Sequence, residues 1–72
     1  MGYELWETAA GNIVGNYATK AAALEVVRDS AMAYGHGYID SWALVYEDDD
    51  ENVRPLAAGA DLLKLAKRPI SA

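Results

Sequence analysis

Two strand-turn-strand runs bracket a single helical pattern, and that arrangement leaves this chain few ways to fold. The first run covers residues 3–8, a turn at 9–12 and a return at 13–17. The second covers 41–47, an acidic turn at 48–52 and a return at 53–56. In the first strand Tyr3, Leu5 and Glu7 alternate with Glu4, Trp6 and Thr8, the two-residue period of a half-buried strand. Gly11 suits the turn because it takes positive φ without steric cost. Gly15 weakens the return strand and marks a bulge or a close contact.

Between the two runs, Thr19 stands at a helix N-cap position ahead of Lys20 and three alanines. Apolar residues at Leu24, Val27, Ala31 and Tyr34, widened by Ala23 and Val26, put a stripe along one face of a helix. Glu25, Arg28 and Asp29 fall on the outer side, and Gly35 is expected to end the helix in a left-handed conformation. A shorter helix is expected over residues 61–67, with Leu62, Leu63, Leu65 and Ala66 on its apolar side. Pro69 then stops it, ahead of a frayed tail at 69–72.

The third strand is apolar on both faces, with Trp42, Leu44 and Tyr46 on one and Ala43 and Val45 on the other, which marks a central strand. Pro55 has no amide hydrogen for a ladder and consigns its strand to an edge. A right-handed crossover sets the third strand beside the first. The prediction is an α+β two-layer sandwich, a single domain over residues 1–68. It has a four-stranded antiparallel sheet in the order 2-1-3-4, with the main helix and the short C-terminal helix on one face. Tyr3, Leu5, Trp42, Leu44 and Tyr46 should meet the helices. Trp6, Ala43 and Val45 should lie on the open face as a protein-contact surface.

Size sharpens that expectation. A chain of 72 residues buries only roughly 60% of its unfolded surface, and domains this small commonly add disulfides, a metal or a partner. No cysteine is present and histidine occurs once, which points away from disulfides and metal and toward association. The formal charge of −5 disfavours nucleic acid as a partner; the basic cluster Lys64, Lys67 and Arg68 sits where a helix C-terminus attracts cations. No apolar stretch approaches the roughly 20 residues of a membrane span. The first residues lack a signal-peptide pattern, and Trp6 occupies the position where a myristoylation signal wants Ser or Thr. The expected compartment is the cytoplasm.

Chemistry-bearing patterns are sparse. His36 lies between Gly35 and Gly37 with only Asp40 and Ser41 nearby in sequence, so it reads as a solvated loop histidine. Asp48, Asp50 and Asn52 match the first, third and fifth positions of a calcium loop. The pattern then fails, with Val53 at the glycine position and Gly59 at the bidentate glutamate position. The run Asp48, Asp49, Asp50 and Glu51 therefore reads as a solvated hairpin turn that keeps strand edges apart. The glycines form neither a phosphate loop nor a dinucleotide fingerprint. No catalytic residue, cofactor, metal site or small-molecule substrate is expected, and the chain reads as non-enzymatic.

The segments Leu5-Trp6-Glu7-Thr8, Gly11-Asn12, Tyr17-Ala18-Thr19, Ala23-Leu24 and Val27-Arg28 form one part of a longer pattern. It continues with Ala43-Leu44 ahead of the acidic run and Ala58-Gly59-Ala60-Asp61-Leu62. Taken together it resembles a family of small bacterial proteins of about this length with no assigned activity. The resemblance implies a bacterial cytoplasmic origin and supports the ββαββα order.

Two functions from different classes fit these residues. The first is an interaction module that forms a homodimer or docks on another protein through Trp6, Ala43 and Val45. The alternative is an acidic, antitoxin-like regulator that binds a basic partner protein or, less favoured, nucleic acid.

Overall fold

The computed structural model describes residues 2–67. The expectations for Met1, Arg68, Pro69 and the tail at 69–72 lie outside the described residues. Strands β1 (Gly2–Glu7), β2 (Asn12–Tyr17), β3 (Trp42–Glu47) and β4 (Val53–Ala58) and helices α1 (Lys20–Tyr34) and α2 (Gly59–Lys67) follow in the order ββαββα. They build a four-stranded sheet, β2-β1-β3-β4, with every neighbouring pair antiparallel. This is an α+β fold with an open sheet.

Register explains the core. Leu5 faces Leu44 across β1 and β3, and both side chains are fully buried. Helix α1 lays Ala23, Leu24, Val27 and Ala31 over them, α2 adds Leu62 and Ala66, and Trp42 closes one end. Both helices therefore sit on one side of the sheet, in a plate whose principal extents are 35 × 34 × 17 Å. The N-cap forms as its residue type dictates: Thr19 is extended, and its hydroxyl accepts the Ala22 amide hydrogen at 3.1 Å.

Three local details differ from expectation. Tyr34 is not in the core but 69% exposed. Its ring lies 4.6 Å from Tyr38, whose ring is 5.7 Å from Trp42. The chain reverses at Gly35 into a 3-10 turn, His36–Ile39, and this turn drives Ile39 into the end of the core instead. Gly35 takes φ 94° and ψ 159°, positive but extended, a region that only glycine enters without strain. Strand β4 runs on to Ala58 and passes directly into α2 at Gly59, with no intervening loop.

Each edge strand carries a bulge. Leu5 pairs with Gly15 but Trp6 with Ile13, which leaves Val14 of β2 without a partner on β1. Leu44 pairs with Ala57 but Val45 with Pro55, which strands Leu56 of β4 in the same way. At Gly15 an added Cβ would come 2.5 Å from the Tyr17 hydroxyl, so the missing side chain makes room for that ring. Among the described residues no helix is long and apolar enough to cross a membrane.

Candidate interaction surface

Residues paired directly across antiparallel strands share a face, so the register maps the side of the sheet that the helices leave bare. One row across it reads Ile13, Trp6, Ala43 and Ala58. The next reads Asn16, Glu4, Val45 and Pro55, and a third holds Gly2, Glu47 and Val53. Trp6 and Ala43 are thus direct neighbours, and Val45 stands one row away on β3. The surface is wider than Trp6, Ala43 and Val45 alone, because Ile13 and Val53 are 45% and 52% exposed and extend it onto both edge strands. Sequence alternation missed these flanking residues. The two bulges change which residues of β2 and β4 share a face with β1 and β3; Gly15 marks the first without fixing its register, and nothing local marks the second.

The Trp6 side chain is half-buried, and its indole Nε1–H donates to Glu4 Oε1 at 3.0 Å. The only polar atom of the ring is satisfied inside the chain. A partner could then cover the ring without stranding a donor.

The sheet edges are poorer docking sites. A bulge twists a strand away from regular pairing, and proline withholds a ladder donor. β2 carries the first device at Val14, and β4 carries both, at Leu56 and Pro55.

Elsewhere, polar groups are occupied with building turns. The Glu7 carboxylate accepts from the Ser41 hydroxyl and from the amides of Ala9 (3.2 Å) and Ala10 (2.7 Å). The Ser41 hydrogen bond and then the Ala10 amide hold its pKa below the ordinary glutamate range. Glu7 with Ser41 thus clamps the end of β1 to the residue that leads into β3. Ser41 is turned to Glu7 and does not serve His36, which is exposed at the head of the 3-10 turn.

In the acidic turn, Asp48 Oδ1 accepts from the amides of Asp50 (2.9 Å) and Asn52 (3.0 Å), and its backbone pairs with Asn52 and Glu51. That carboxylate shapes the hairpin. Among the described residues no three histidine, cysteine or acidic side chains come together to hold a metal.

Comparison with protein-family models, with curated proteins and with solved structures finds no match for the chain. The resemblance to small bacterial proteins gains no support from it. The functional reading rests on the surface itself.

Proposed function

We propose that the chain is a non-enzymatic interaction module that pairs with a second copy of itself through the open face of the sheet. The observation that supports this reading is the row Ile13, Trp6, Ala43 and Ala58, which sets large side chains on one half of the face and small ones on the other. A two-fold axis lying in the interface, parallel to the strands and between β1 and β3, sets each residue against its row partner from the other copy. Trp6 then lies on Ala43 and Ile13 on Ala58, large against small, as interdigitating layers require. Glu4 falls opposite Val45, and Glu47 opposite Gly2, so no acidic side chain meets its own copy. Blunted edges favour this face-to-face arrangement over strand addition.

The expected affinity is modest. Four strands about 4.8 Å apart and roughly 20 Å long present a face of roughly 400 Å². That is about half of what each partner contributes to a standard interface, and the Glu4 carboxylate loses hydration on burial. Association in the micromolar range or weaker, roughly 10 µM to 1 mM, fits that area. The reading takes a reducing cytoplasm as its setting, where a chain without cysteine owes nothing to disulfides.

The test exploits the size pairing. Ala43→Trp should abolish the dimer by setting tryptophan against tryptophan, and Trp6→Ala should weaken it by leaving a void. The double variant Trp6→Ala/Ala43→Trp should restore it. A double variant as monomeric as its parents, with its amide spectrum still dispersed, would overturn this geometry. The acidic regulator remains the second reading, and ionic strength separates them: its complex with a basic partner loosens steeply as salt rises, whereas an apolar dimer does not.

A further inference from the structure

On the opposite, helix-bearing side, one row of the sheet is left half uncovered. Register sets Tyr17, Tyr3, Tyr46 and Arg54 side by side across all four strands. The helices bury the rows of Leu5, Leu44 and Trp42 but leave Tyr3 and Tyr46 partly exposed. Their rings stand 5.0 Å apart, tilted by 51°, and the Arg54 guanidinium lies 5.9 Å from the centre of the Tyr46 ring.

Tyr3, Lys20, Tyr46, Arg54 and Leu56 line an open, shallow hollow of about 340 Å³. A second hollow, of about 330 Å³, shares Leu56 and adds Ala57, Asp61, Lys64 and Leu65. Lys20 and Arg54 thus line the first hollow and Lys64 the adjoining one, three of the six basic residues of a chain with net charge −5, and Asp61 is the single acid in the two linings. Leu56 is the bulged residue of β4, and it is 41% exposed at the junction of the two hollows. Bulges commonly re-aim a side chain beside a binding site.

We propose that the first hollow binds a small aromatic anion, a planar ring bearing one phosphate-like or carboxylate-like group. The tilted tyrosine pair and Leu56 supply an apolar wall on which a ring can stack. Lys20 and Arg54 flank that wall with donors for the anionic group, and Arg54 offers a planar fork that suits two oxygens. A hollow of this size lies at the lower end of ligand pockets, which suits a small ligand. The open face lies on the other side of the sheet, so the hollow stays accessible whether or not the chain pairs with itself.

Phenyl phosphate is the probe, titrated into the full chain while backbone amide shifts are followed by NMR, with inorganic phosphate as its control. The expected result is saturable movement at Tyr3, Tyr46 and Arg54. Inorganic phosphate should bind at least about tenfold more weakly, since it lacks the stacking ring. Arg54→Gln and Lys20→Gln should each weaken phenyl phosphate by about fivefold or more. Lys20 is exposed in the first helical turn, so its variant keeps the test valid if Arg54→Gln perturbs the sheet. Three results would each overturn the proposal: no saturable shift at these residues up to about 20 mM, equal binding of inorganic phosphate, or wild-type affinity in folded variants.

Discussion

Glu7 and Glu51 stand in turns under opposite constraints, one side chain holding its turn together and the other carried at a strained backbone position. Glu7 ties Ser41 and the amides of Ala9 and Ala10 together, and its pKa falls as a result. A carboxylate with a lower pKa in the folded chain stabilises the fold at pH values above its unfolded value of about 4.3. That contribution disappears as pH falls through the lower, folded value. Wild-type urea midpoints should therefore drop more steeply between about pH 5 and pH 3 than those of Glu7→Gln, because the other carboxylates are common to both and only the wild type titrates at position 7. Parallel profiles would contradict the clamp. Glu51 sits at φ 65° in the acidic turn, where a left-handed residue with a side chain costs about 1–2 kcal/mol. Glycine relieves that strain but frees the unfolded chain by about 0.4–1 kcal/mol. Glu51→Gly should then stabilise the fold by roughly 0.5–1 kcal/mol, read from thermal unfolding. Neither feature was visible in the sequence: Glu7 reaches Ser41 only once β1 and β3 pair, and the positive φ falls on a glutamate rather than on a glycine that would have marked it.

At the scale of elements, legibility follows how local each cause is. The α1 cap was readable because capping needs only Thr19 and the amides that follow it. Thr19→Ala should cost about 1 kcal/mol, a fall of about 4–8 °C in Tm for a domain of this size. An unchanged Tm would show that α1 is held by packing alone. Pro55 placed β4 at the edge for an equally local reason, its missing amide hydrogen. The alternation of β1 and β3 likewise assigned Leu5, Trp42 and Leu44 to the core. Gly15 signalled the bulge of β2, but its place at Val14 and the bulge at Leu56 were hidden, because the register of a bulge is a relation between two strands rather than a property of either. Ile13 and Val53 therefore joined the open face only once the register was known. Tyr34 was misplaced because its period fits the stripe, whereas the reversal at Gly35 gives that end of the core to Ile39.

The molecule as a whole is a thin two-layer plate with unequal sides. Among the described residues, one side is covered by α1 and α2 except along the tyrosine row, and the other carries no helix and has Trp6 and Ala43 near its middle. A small core leaves little stability in reserve, and the proposed pairing would add to it by covering the apolar residues of that side. Light scattering of the wild-type chain from about 10 µM to 1 mM, a range set by the expected affinity, at low and high salt, tests this most directly. A chain that pairs through its open face gives a mass that rises from monomer toward dimer with concentration and does not fall when salt is added. A mass that stays monomeric to the top of that range, or a dimer that salt dissolves, would contradict that pairing.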